Sequence, residues 1–241
     1  MPDLSAARLQ YAVREVSRCL EQNNAYRPSW DVMSEDCLWR ELVACILGSR
    51  VQFDLAHAAV ERIEIANLFS SVYRMSKRDE YEHDVLRALW VRGKWGGISQ
   101  LQSHYPFPFL RAKQISTAAA AIYDNGGSIR RLLHDVQNVR ELRRHLSAEV
   151  AGIGPKQASL FIRNVGYTAH VAVLDTHVLT YMNWIGLMPS PLRVVRTVRQ
   201  YEMLEDVFVE HSWSAGFPPS LYDLAVWVVV RVAKKESMSC Q

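Results

Sequence analysis

A chain of 241 residues, 49% of them hydrophobic, is long enough to bury one sizeable core or two smaller ones. The net charge of +3 is too mildly basic to single out nucleic acid as a partner. Cys19, Cys37, Cys45 and Cys240 show neither CxxC spacing nor the density of a disulfide scaffold, which fits a reducing compartment, and the eight histidines form no HxxxH or HExxH, so neither a metal site nor a cofactor is expected.

In chain order, Pro2 and Asp3 lead without a signal peptide into an amphipathic helix with Leu9, Val13, Val16 and Leu20 on one side. Residues 23–36 are polar, contain Pro28 and read as a connection between two bodies. From Cys37 the run Leu38, Trp39, Leu42, Val43, Ile46 and Leu47 is apolar almost all round and predicts a buried helix. It ends at Gly48-Ser-Arg-Val-Gln, after which Asp54 is expected to cap a helix through Leu55, Ala59, Ile63 and Ala66. A further helix is expected around Val85 to Val91, and Gly93 to Gly97, with Trp95 inside, breaks the chain.

Two prolines make Tyr105-Pro-Phe-Pro-Phe-Leu-Arg-Ala extended, with its aromatics expected in the core. Helices follow from about Leu110 to Tyr123 and from Ser128 to His134, separated by an Asn-Gly-Gly turn. Arg111, Lys113, Arg130, Arg131, Arg140, Arg143, Arg144, Lys156 and Arg163 outnumber the acids between residues 111 and 163. Such a face attracts a phosphate backbone; a solvated helix face is the other reading of any one of them.

The most informative stretch runs from Gly152 to His177. Val139, Leu142, Leu146 and Val150 fall at helical spacing before Gly152-Ile-Gly-Pro, and Ala158, Phe161, Ile162 and Val165 do so after it. Glycine permits positive φ at a helix stop and proline suits a helix start, so the segment predicts helix, hairpin, helix. Amides at the second helix's start, approached closely through Gly152 and Gly154, form a cradle for phosphate. Lys156 lies in that first turn, where the helix end and partial desolvation both disfavour an ammonium and leave an amine available for Schiff-base chemistry. The apolar run Val171 to Leu174 would then bring Asp175 to a buried position. A solvated lysine and a plain N-cap for a helix starting at Thr176 are the plainer readings of these two residues.

Beyond Asp175 a helix with Val178, Met182 and Ile185 inward is followed by a turn at Met188-Pro-Ser-Pro, a helix from Leu192 to His211, and a stop at Phe217-Pro-Pro. A final helix from about Ser220 carries Leu221, Leu224, Ala225, Val228 and Val229, too short an apolar run to cross a membrane and broken by Arg231. No strand, repeat or low-complexity tract is expected.

Gly152 to Asp175 resembles the helix-hairpin-helix, Gly/Pro loop and aspartate motif of the base-excision DNA glycosylases, most closely the short archaeal and bacterial 8-oxoguanine DNA glycosylases. Ala158-Ser-x-Phe-x-Arg-Asn, Tyr105-x-Phe-x-x-x-Arg-Ala and Leu221-Tyr-Asp-Leu-x-x-Trp are similar to segments of the same type. The iron–sulfur cluster of some relatives has no cysteines to hold it here. The resemblance implies an all-α fold of two helical bodies, residues 37–164 ending in the hairpin and residues 1–36 with 165–241, and a cleft between them holding the active site. It implies Lys156 as the nucleophile and Asp175 as the essential carboxylate. Gly152, Gly154, His177 and Arg163 would contact DNA. Gly48 to Gln52 falls where relatives place a loop that enters the duplex, so Arg50 or Gln52 would fill the gap left by an extruded base; a simple helix-ending turn is the alternative, and Val51 departs from the family's Asn or Gln. Leu160, Asp223 and Trp227 are candidates for lining the base pocket, with core packing the other reading of Trp227. The implied partner is double-stranded DNA with a modified base, most simply 8-oxoguanine, acted on by a monomer in the cytoplasm. A different modified base, or a non-catalytic DNA-binding module, are the competing functions.

Overall fold

The computed structural model describes residues 5–23, 29–90, 105–188, 192, 195 and 197–239, with side chains as far as 234. Among these residues the chain is all-α, without a strand. The helices are α1 (Ala6–Gln22), α2 (Glu35–Leu47), α3 (Phe53–Ile65), α4 (Ser71–Ser76), α5 (Tyr81–Trp90) and α6 (Pro108–Tyr123). They continue with α7 (Ile129–Asp135), α8 (Val139–Glu149), α9 (Pro155–Asn164), α10 (Thr176–Trp184), α11 (Val198–Ser214) and α12 (Pro219–Ser239). The chain divides into two compact units, Met1–Arg27 with Gly166–Gln241, and Pro28–Val165.

The Pro28–Val165 unit is assembled around α2. Leu38, Trp39, Leu42, Val43, Cys45, Ile46 and Leu47 are all buried, because α3, α6, α7 and α9 pack around this one helix. Trp39 donates from Nε1 to the Tyr81 hydroxyl at 3.1 Å, and that hydroxyl donates to Leu68 O at 3.0 Å. The Arg74 guanidinium lies over the rings of Trp39 and Tyr123 at 5.1 and 4.7 Å. Glu35 opens α2, one turn before Trp39. Its Oε1 accepts from Tyr123 Oη at 2.9 Å and from Ile129 N at 2.7 Å, and its Oε2 from Arg130 N at 3.2 Å, so one carboxylate serves the orphan amides of α7. From Trp30 onward the expected connection belongs to this unit, since Arg130 donates to the carbonyls of Asp31 and Met33.

In the other unit α12 packs on α1, α10 and α11. Leu9, Val13, Tyr181, Phe208, Tyr222 and Val226 form the centre of its core, with Val16, Leu20 and Ile185 packed against it. Tyr181 Oη lies 2.8 Å from Tyr222 Oη and 3.0 Å from His211 Nε2. Burial, reinforced by the charge of Arg14, pushes His211 below its ordinary range.

Several expectations need correction. The start of α3 is capped by Gln52, without a side-chain hydrogen bond, and Asp54 lies inside the first turn, where its charge meets the helix dipole. The short helix α4, started by Ser70 Oγ accepting from Tyr73 N, was not anticipated. Helix α11 begins at Val198, where Thr197 caps it, and not near Leu192. The expected break from Gly93 to Gly97, with Trp95, lies outside the described residues. Replacing Glu35 with alanine strands the amides of Ile129 and Arg130 and should lower the unfolding free energy by roughly 1–3 kcal/mol, measured by denaturant titration.

Candidate active site

The hairpin forms where α8 and α9 turn back on each other. Val150 N donates to Leu146 O at 3.1 Å and Ile153 N to Val150 O at 3.1 Å, while Ile153 points its side chain into the core. Gly152 takes φ 86°. A Cβ there would come within 2.9 Å of Gln114 Oε1 and 3.1 Å of Ile46 Cγ2, so both backbone sign and space demand glycine. Gly154 is different: its φ of −103° suits any residue and a Cβ would meet nothing within 4 Å. What it does is keep the surface bare at the start of α9, which has no side-chain cap.

Lys156 follows Pro155 in the first turn of α9 and is half-buried. Leu160, Arg163 and Asn164 continue the same half-buried stripe, over the buried Ala158, Phe161 and Ile162. Across from it on α2, Glu41 Oε1 accepts from Asn164 Nδ2 at 2.6 Å. Cys45 lies beneath: burial and then the Glu41 carboxylate push its thiol well up, while Arg163 and Lys156 pull the other way. The turn after α2 leaves Arg50 and Gln52 exposed, with Arg50 in the left-handed region at φ 61°. Phe53, 63% exposed, adds an apolar ring beside them that sequence reading missed.

Two of the arginines counted toward a basic face lie inside instead. Arg143 is fully buried and donates from Nε to Ser159 Oγ at 2.8 Å, bracing α8 against α9, and Arg111 is 5% exposed.

Asp175 belongs to the other unit. The four residues before it, Val171 to Leu174, are buried and are not part of any strand. Side chains supply their amides with acceptors: Glu205 Oε1 for Ala172 at 3.1 Å, Asp223 Oδ2 for Val173 at 2.6 Å and Tyr201 Oη for Leu174 at 3.0 Å. Asp175 then caps α10, its Oδ1 accepting from His177 N at 2.8 Å and Val178 N at 2.9 Å. Its Oδ2 is 3.3 Å from His177 Nδ1. His177 meets the Trp227 ring edge-on, centroids 6.1 Å apart, and Arg231 lies over that ring at 4.8 Å. Asp175, His177 and Trp227 are thus brought together, whereas Asp223, 1% exposed, faces inward against the backbone.

A family model described as 8-oxoguanine DNA glycosylase (Ogg-HhH) matches residues 97–216. The 8-oxoguanine DNA glycosylase/AP lyase of Sulfurisphaera tokodaii is 31% identical over 196 residues, covering 80% of this chain and 82% of that protein. The chain belongs to the 8-oxoguanine DNA glycosylase family. The corresponding glycosylase/lyase of Sulfolobus acidocaldarius is 27% identical over 195 residues, covering 80% and 81%. The fold is shared with the 8-oxoguanine DNA glycosylase of Thermotoga maritima, at a TM-score of 0.68 and 21% identity over 93% of this chain and 95% of that one. It is shared equally with the Methanocaldococcus jannaschii glycosylase/lyase in complex with a 15mer DNA containing 8-oxoguanine, with a TM-score of 0.68, 21% identity and coverage of 91% and 95%.

In this member of the glycosylase family the two hairpin glycines have separable tasks. Gly152→Ala should cost about 1–3 kcal/mol of stability and Gly154→Ala less than about 1 kcal/mol, a difference that thermal denaturation of the two variants will show.

Proposed function

We propose that this chain is a bifunctional DNA glycosylase/AP lyase that removes 8-oxoguanine from duplex DNA, with Lys156 as nucleophile and Asp175 as the stabilising carboxylate. Membership of the 8-oxoguanine DNA glycosylase family, and relatives that carry both activities in their names, support the reaction. The observation that carries the residue assignment is the pairing in one sequence of a lysine in the first turn of an uncapped, glycine-led helix with an aspartate locked by two backbone amides. The amides of the hairpin hold the phosphate backbone, and Arg163 and His177 each add a further contact to it. Arg50 or Gln52 occupies the space left in the stack when the damaged nucleotide swings out. Leu160 and Trp227 offer apolar surface to the extruded base.

Lys156 attacks as the free amine. Its nitrogen lone pair forms a bond to the anomeric carbon C1′ while the glycosidic electron pair leaves with the base, which takes up a proton. Asp175 stabilises the positive charge that develops on the sugar. Ring opening leaves an imine between Nζ and C1′, which acidifies the C2′ protons; loss of one of them expels the 3′ phosphate and nicks the strand. A single copy of the chain suffices for this mechanism, working on cellular DNA in the cytoplasm; among the described residues no helix is long and apolar enough to cross a membrane.

Borohydride trapping on a duplex with 8-oxoguanine opposite cytosine tests the assignment: the parent should give a covalent complex and Lys156→Gln none, and equal trapping by both would move the nucleophile elsewhere. Asp175→Asn should slow single-turnover excision by about 10²–10³-fold. Gly154→Ala should weaken duplex binding by roughly 5–10-fold in a filter or anisotropy titration, because its new methyl stands where a phosphate approaches.

A further inference from the structure

The segment Tyr105-Pro-Phe-Pro-Phe-Leu-Arg-Ala has no task in the chemistry above, yet its polar side chains all turn toward one place. Tyr105 is fully buried and donates its hydroxyl to Leu47 O at 2.6 Å. Arg111 donates from Nη2 to Ser49 O at 2.5 Å and from Nη1 to Gln114 Oε1 at 2.6 Å. The carbonyls of Leu47 and Ser49 lie at the end of α2, where carbonyls have no partner within the helix and the dipole favours a cation. The guanidinium is buried, and its Nε has no hydrogen-bond partner among the described residues. An apolar side chain of similar volume would fill this space without that desolvation, so stability alone is a poor reason for an arginine here.

Gln114 leads to the second loop. Its Oε1 is the atom that a Cβ on Gly152 would strike, so the amide head of Gln114 rests directly against the left-handed glycine of the hairpin. The two side chains therefore form one continuous strut on α6, with the carbonyl of Ser49 at one end and Gly152 at the other. The residue after Ser49 is Arg50, held at φ 61°, a conformation that a long side chain keeps only when its surroundings impose it.

We propose that Arg111 and Gln114 are positioning residues that couple the duplex-entering turn Gly48–Gln52 to the phosphate-holding hairpin, so that seating the DNA backbone on the hairpin sets Arg50 and Gln52 at the base step to be opened. The inference rests on the assignment of those two loops to DNA given above. It makes the strut a determinant of base extrusion and leaves the attack of Lys156 on an already exposed sugar untouched.

The test compares the parent with Arg111→Met, Arg111→Lys and Gln114→Ala on two duplexes, one with 8-oxoguanine opposite cytosine and one with an abasic site, where no base remains to be extruded. Gln114 is only half-buried, so its variant keeps the question open to measurement should Arg111→Met fail to fold. Arg111→Met and Gln114→Ala should slow single-turnover excision of 8-oxoguanine by about tenfold, while borohydride trapping at the abasic site stays within about twofold of the parent. A 2-aminopurine beside the lesion should report unstacking slowed in parallel, and Arg111→Lys, able to reach one acceptor but not both, should fall between. Equal losses on both substrates, or no loss on either, overturn the coupling. A parent that neither excises nor traps overturns the functional reading itself and the coupling with it.

Discussion

A buried run of backbone with no strand beside it leads into Asp175, and its unit is built to supply that run with partners. Each amide left unpaired in the interior would cost about 1–3 kcal/mol, and Ala172, Val173 and Leu174 would each be in that position without help. Glu205 and Tyr201 on α11 and Asp223 on α12 provide it, Tyr201 also returning its hydroxyl to Ala172 O at 2.9 Å. The helices that cover the segment thus also fix its path, and Asp175 emerges from it with its carboxylate already bound by two amides. A group that is to stabilise charge in a transition state gains most when it needs no reorganisation at the moment of reaction.

The same device recurs in the other unit with the signs reversed. There a cation, Arg111, serves the carbonyl of Ser49 just past the end of a helix, and a second buried arginine, Arg143, ties the two arms of the hairpin. Buried charges of this kind contribute little net stability against well-packed apolar side chains, since desolvation offsets most of what their hydrogen bonds return. Their value lies in geometry. An apolar core would tolerate small shifts of the hairpin or the turn, whereas a guanidinium with directed donors does not.

Much of this was legible in the sequence, and what was not has a common cause. The hairpin followed from Gly152-Ile-Gly-Pro because glycine and proline act through their own backbone, and Asp175 read as an N-cap because capping joins residues two and three apart. Asp223 offered no such signal: its partner, Val173, is fifty positions away. Arg111 and Arg143 were counted as surface charge since periodicity assigns a polar residue to the outside unless its partner is known, and Ser49 lies 62 positions from Arg111. The start of α3 failed for a local reason. Asp54 is a better cap by type than Gln52, but the turn ends at Gln52, and the aspartate serves the first turn instead.

That uncapped start belongs to a pattern. Among the helix starts with a described N-cap, α1, α2, α4, α7, α8, α10 and α11 each have a Ser, Thr, Asn or Asp side chain accepting from a first-turn amide. Those without are α3, α6 and α9. Helices α6 and α9 both open on a proline, Pro108 and Pro155, which has no amide to satisfy there, and in α6 Phe107 packs its ring toward Arg111. Helices α3 and α9 begin at the turn Gly48–Gln52 and at the hairpin, the loops that the proposed function sets against the sugar–phosphate backbone. A serine at 154 would make a better cap than glycine, and by occupying the amides it would compete with any anion offered to them. A bare glycine there, with space before it for an incoming group, is what a helix start needs if its acceptor is to come from another molecule.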